Sequence, residues 1–126
     1  LAGANLAGAK DIPAIVAAQT LITPEGDLIG WKKCRAGVVV KLRIPASAKR
    51  HNATGRKCRA EFAEVIELFG PAGEPTPIRG VSLHNGTTEY RAEQTVHCDH
   101  WNPDRWTECG GGIHFFLTRE EAEAYT

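Results

Sequence analysis

The 126-residue chain lacks any net charge. Fifteen Lys and Arg are matched by fifteen Asp and Glu, so no global field argues for nucleic acid or an anionic membrane as partner. It also lacks long apolar runs: stretches such as Val38-Val39-Val40 are far too short to cross a bilayer. No Cys-x-x-Cys pair occurs. The four cysteines, at 34, 58, 98 and 109, are too widely spaced for a disulfide-dense scaffold. The first residues lack a charged start followed by an apolar run, so no secretory signal is read there. Reduced thiols are therefore expected, with two disulfides left open. Methionine is absent, including at position 1, and a fragment, a processed form or part of a longer chain is expected. Two sequons, Asn52-Ala53-Thr54 and Asn85-Gly86-Thr87, are read as turn chemistry. The length suffices for one domain with one core.

Taken in order, residues 1–10 repeat with a five-residue period, Leu-Ala-Gly-Ala-Asn then Leu-Ala-Gly-Ala-Lys. This resembles pentapeptide repeats, in which Leu fills the centre of a square β-helix and Ala packs beside it. The reading is the end of such a solenoid at 1–10, a linker or short helix at 11–19 that includes Pro13, and at 20–126 an α+β domain of mainly antiparallel short strands with a C-terminal helix. Thr20-Leu21-Ile22 and Leu28 to Lys33, around the turn Pro24-Glu25-Gly26-Asp27, are expected to form a hairpin. Val38 to Ile44 is the clearest strand, alternating toward Pro45. Residues 46–59 read as a polar, basic connection. Over 41–59, Lys41, Arg43, Lys49, Arg50, Arg56, Lys57 and Arg59 follow one another without an acid. This would suit an anion site, but a solvated face offset by later acids is the preferred reading.

Glu61 to Phe69 fits a helix narrowly by periodicity and also suits one face of a strand. Ile78 to His84 and Thr87 to Arg91 read as strands around Asn85-Gly86, Gln94 to Cys98 as a further strand, and Trp101 to Trp106 as a turn folding back like a lid. Ile113 to Leu117 is the last strand. Thr118 with Glu121 then forms a capping box for a helix whose Ala122 and Tyr125 face the sheet.

Four motifs carry a resemblance: Gly-Trp-Lys-Lys at 30–33, Lys-Leu-x-Ile-Pro at 41–45, Arg-Lys-Cys-Arg-Ala at 56–60, and Glu-Cys-x-x-Gly-Ile-His-Phe-Phe-x-Thr-Arg-Glu-Glu-Ala at 108–122. Over roughly residues 20–125 the chain resembles an uncharacterised domain of phage and giant-virus proteins, commonly found after pentapeptide repeats. The resemblance implies a strand for 61–69. It maps the family pattern onto Cys58, Arg59, Cys109, Gly112, His114 and Arg119. It also implies a protein of the host cytoplasm or virion, not one secreted through a signal in this chain. Cys98 and His100 match no position of the pattern.

Several chemistries can be weighed on these residues. Cys98-x-His100 with Cys109 and His114 would offer zinc two thiolates and two imidazoles, though with no standard finger spacing. Cys109 before a glycine loop, with His114 as base, would form a nucleophile pair beside an oxyanion hole, but no acid is placed to orient the His. Leu83-His84-Asn85-Gly86-Thr87 and Gly112-Ile113-His114-Phe115-Phe116 also resemble the first two signature strands of ADP-ribosyltransferases. That resemblance implies NAD as cofactor, with His84 on the nicotinamide ribose. His114 holds the position of the stacking aromatic, and the catalytic Glu of those enzymes has no counterpart.

The preferred expectation needs no missing residue. It is a non-enzymatic module, without zinc or NAD, that caps a pentapeptide-repeat stalk in a phage or viral protein. It would bind a protein partner or assemble with itself, with Trp31, Trp101, Trp106, Arg56 and Arg59 as anchors. No membrane or nucleic-acid partner is expected, and a small-molecule ligand is left open.

Overall fold

The computed structural model describes residues 21–53, 55–71, 79–83, 88–104, 106 and 111–125. Alternation sets the first hairpin. In β1 (Leu28–Lys33) Leu28, Gly30 and Lys32 are buried while Ile29, Trp31 and Lys33 are not. β1 pairs antiparallel along its whole length with β2 (Val39–Ile44). The connecting turn carries Ala36 at φ 59° and Gly37 at φ 75°, and Val38 N–H donates to Arg35 O at 3.3 Å. Two successive positive φ values match the twist of the flanking strands.

This hairpin replaces the one expected with residues 20–22. Leu21 and Ile22 carry no strand, and Ile22 N–H donates instead to Asn52 Oδ1 at 2.8 Å. The six-residue register with β2 gives β1 a far longer ladder than that short run could.

The connection expected at 46–59 contains β3 (Arg50–Asn52) and the start of β4 (Cys58–Ala60). Only Glu61 separates β4 from β5 (Phe62–Phe69), a strand, as the family resemblance implied. The remaining elements are β6 (Arg79–Val81), β7 (Glu89–Arg91), β8 (Thr95–His97), β9 (Ile113–Phe115) and the helix α1 (Arg119–Ala124).

They build a four-stranded sheet in the order β1-β2-β5-β8, a three-stranded sheet β3-β4-β9 and a two-stranded β6-β7. Every pairing is antiparallel. A bulge near Lys41 and Leu42 bends the β2–β5 ladder. Trp31 and Phe116 exchange main-chain bonds of 2.8 and 2.7 Å, which ties the β1 edge to the chain leaving β9. Cys34 bridges to Ser82 beyond β6.

Val40, Leu42, Ile44, Ala63, Val65 and Leu68 thus face Cys58, Ala60, Ile113 and Phe115 in one core. Gly30 makes room in it: a Cβ there would lie 2.5 Å from Phe115 Cδ2 and 3.1 Å from Ile44 Cδ1.

The helix α1 closes one side. Thr118 Oγ1 accepts the Glu121 N–H at 3.2 Å, and Ala122 is fully buried. Arg56 pairs with Glu121 at 2.6 Å. Lys33 Nζ donates to Glu123 O and Tyr125 O, both at 3.1 Å, placing a cation at the helix C-terminus.

The expected α+β class with a pentapeptide-repeat remnant is corrected, although mainly antiparallel strands and a C-terminal helix were expected and are found. The domain is mostly antiparallel strands in three sheets, and its helical part is one six-residue helix, too short to be stable without the sheet beneath it. No pentapeptide-repeat β-helix appears among the described residues, and the repeat at 1–10 lies outside them. Gly30→Ala should destabilise the fold by about 1–3 kcal/mol, because a methyl group must displace Phe115. Urea unfolding of the two proteins measures this, and an unchanged midpoint would refute the packing argument.

Candidate functional site

The alternation that buries Leu28, Gly30 and Cys34 also turns a lysine inward. Lys32 is only 8 % exposed. Its Nζ donates to His114 O at 3.0 Å and lies 5.7 Å from the centroid of the Tyr90 ring. Burial pulls its pKa down from an ordinary 10.5 to about 8, with Cys34 opposing the shift and Lys57 reinforcing it. Burial pushes the Cys34 thiol the other way, up to about 11, and raises the Tyr90 phenol as well.

Lys32 and His114 stand between two cavities. One, of about 380 Å³, is lined by Lys32, Lys33, Lys57, His114, Leu83, Phe116 and Tyr125. Lys57 Nζ donates to Tyr125 Oη at 3.0 Å. The other, of about 210 Å³, has a mixed lining that includes Ser82, Tyr90, Cys98, Asp99 and His100 besides Lys32 and His114. A wider, shallower hollow borders Arg50, His51 and Trp101.

A second buried cation holds the wall of the smaller cavity. Arg59, 1 % exposed, donates to Gly111 O and Asp104 O at 2.6 Å each and to His51 Nε2 at 2.7 Å. Arginine has no acceptor, so that nitrogen of His51 presents its lone pair. Trp101 covers the group, with its ring 4.9 Å from His51 in a stack and 5.5 Å from the guanidinium. Main-chain oxygens and a ring face replace the water that a buried charge gives up. The residues around 101–104 and Gly111 are thereby bound onto β4.

The candidate residues fall in different places. His84 and Cys109 lie outside the described residues, and with them the transferase strand and the nucleophile pair. Cys98, His100 and His114 line one cavity, yet among the described residues no three His, Cys, Asp or Glu groups converge as a metal set. Trp31 is half-buried beside Phe69, at 6.2 Å between centroids, with Arg119 over both rings. Trp101 lies on Arg59, and Trp106 is exposed. Arg56 is bound to Glu121.

The basic run does not make one face. Arg43 pairs with Asp27 at 2.7 Å and also with Glu64. Arg50 donates to four carbonyls between residues 24 and 48 at 2.5–2.8 Å. Sequence reasoning placed Lys32 and Lys33 in a family motif but named neither of them, nor Tyr90, as a site residue. The signal for Lys32 was its register with Leu28, Gly30 and Cys34.

Together these features define a small antiparallel β domain with a lysine-lined cleft under a short capping helix. The chain belongs to a family of unknown function (DUF5758), matched over residues 18–122. The uncharacterised domain read from the final motif is thus a family membership, and the family's description says nothing of phages or pentapeptide repeats. No curated protein matches the chain, and no solved structure does. Among the described residues no helix is long and apolar enough to cross a membrane.

The pH dependence of stability follows from Lys32. Its pKa in the folded protein, about 8, lies below the unfolded value, so between pH 8 and 10.5 the unfolded state binds more protons and stability rises with pH. The buried Cys34 thiol opposes this above pH 9. Lys32 should therefore contribute about 1 kcal/mol of added stability from pH 8 to pH 9, offset in part by the buried thiols of Cys34 and Cys58, and Lys32→Met should lack that contribution relative to the unsubstituted protein. Denaturant unfolding at the two pH values measures it.

Proposed function

We propose that this domain is a non-enzymatic interaction module of a phage or viral protein, acting in the host cytoplasm or virion without zinc or NAD. Its partner is another protein or a further copy of the chain. The observation that carries this reading is how the side chains of the family motifs are engaged. Arg59 clamps the residues around 101–104 and Gly111. Arg119 covers Phe69 at 4.3 Å, and Thr118 caps the helix.

The Cys58 thiol is completely buried, and burial raises its pKa to about 12. A reactive cysteine needs the opposite environment, accessible and electropositive enough to favour the thiolate. The described motif positions with reactive potential thus serve to hold loops and helix in place. Trp106 remains exposed as an anchor for a partner.

Incubation with labelled NAD should give neither binding nor transfer, and labelled protein or released nicotinamide would overturn the proposal. His114→Ala should lower the midpoint of thermal unfolding, as expected of an architectural residue 8 % exposed. A variant of unchanged stability would instead mark His114 as a site residue. Sedimentation over a concentration series separates the two kinds of partner, since self-association appears as a mass that grows with concentration.

A further inference from the structure

We infer that the cleft between β1, the end of β9 and the C-terminal end of α1 is a binding site for a small anionic head, carboxylate or phosphate monoester, carried on an apolar body. The inference goes beyond the interaction reading and stands on the cleft alone.

Its lining joins three ammonium groups, Lys32, Lys33 and Lys57, to an apolar wall of Leu83, Phe116 and Tyr125. None of the described residues lining it is acidic. Main-chain carbonyls orient two of the three lysines: His114 O for Lys32, and Glu123 O and Tyr125 O for Lys33. These acceptors are uncharged, so they place the ammonium groups without neutralising them. Among the described residues no carboxylate pairs with Lys32 or Lys33.

Lys32 points to a ligand most directly. It is more than nine-tenths buried and borders the cleft. A buried cation with no counter-charge is costly to keep, and an incoming anion supplies the missing charge. Burial already weakens its hold on its proton, a perturbation characteristic of functional sites. Lysines act as point charges without the planar fork of arginine, so charge selects the head and either oxyanion suits it. A cavity of about 380 Å³ accommodates a head together with a ring-sized body. Two sources share that chemistry: a free small molecule, and the terminal carboxylate of a partner's chain ending in an apolar residue.

Calorimetric titration of the whole chain decides the matter. The probes are phenyl phosphate, phenylacetate, inorganic phosphate, and a short peptide ending in phenylalanine with either a free or an amidated C-terminus. Phenyl phosphate and phenylacetate should bind at least tenfold more tightly than inorganic phosphate, and binding should weaken with added salt. Lys33→Gln should weaken it about tenfold. Lys32→Met should abolish it while raising the melting temperature, because the buried charge is gone. A purely structural lysine would give a lower melting temperature instead. Should Lys32→Met fail to fold, Lys33→Gln and Lys57→Gln carry the test.

A free-carboxylate peptide that binds where the amidated one does not supports the site and identifies a chain end as its ligand. Binding of the small aryl anions alone supports it with a free ligand. Saturation by none of the probes at millimolar concentration overturns the inference, as does an affinity unchanged in Lys33→Gln. Either result leaves the interaction reading standing, because that reading fails on NAD transfer.

Discussion

Everything in this domain hangs on a single bent stretch of chain. Residues 58–69 run through β4, turn at Glu61 and continue as β5. The first part pairs with β3 and β9, the second with β2 and β8. Strands that change sheets at a bend make the corners of packed β structures. Here the bend is pinned from both sides: Glu61 N–H donates to Lys49 O at 2.8 Å, and Glu61 O accepts the Cys98 N–H at 3.0 Å. With the Trp31–Phe116 bridge joining the opposite edges, the two larger sheets wrap one core. The side chains of β4 are buried throughout and those of β5 only in part, because β4 is covered on both faces.

Two cations sit inside this frame, and their environments differ as their chemistry does. An arginine stays charged at any accessible pH, so burial demands acceptors, and Arg59 has two carbonyls, an imidazole nitrogen and an indole face. The result is a rigid clamp. A lysine can release its proton, so a thinner set of partners is tolerated. Lys32 has one carbonyl and the more distant Tyr90 ring, and borders open space on two sides. The first arrangement stabilises architecture. The second leaves capacity for something else to bind.

Sequence reasoning worked where local rules coincide with the tertiary outcome. β2 was legible because its residues alternate toward a proline, and the helix because Thr118 and Glu121 form a capping box. β5 was ambiguous by period, since a bulge disturbs the alternation around Ile66. β3 was lost because a three-residue strand written Arg-His-Asn reads as polar loop. Within it, His51 is covered by Trp101, far along the chain. The hairpin partner of β1 was misassigned because a proline-glycine turn signals more strongly than Ala36-Gly37, although the latter provides the positive φ angles. The role of Arg59 had no local trace, for its carbonyl partners lie 52 and 45 residues away. Lys32 was passed over for a different reason: a charged pair, Lys32-Lys33, reads as surface unless the strand's alternation is carried through it.

The pairing of β9 with β4, and of Phe116 with Trp31, also bears on the order in which the molecule can be made. Two edges laid down early, those of β1 and β4, receive their partner only when residues 113–116 arrive. Contacts of such long sequence separation are slow to close. A nascent chain emerging from the ribosome would therefore carry one unsatisfied edge on each of the two larger sheets, β1 on one and β4 on the other, with a core open on one side. Such edges invite pairing with neighbouring chains. Residues 113–116 act in that sense as a built-in seal, and their timing during synthesis governs how long the two open edges must survive unprotected.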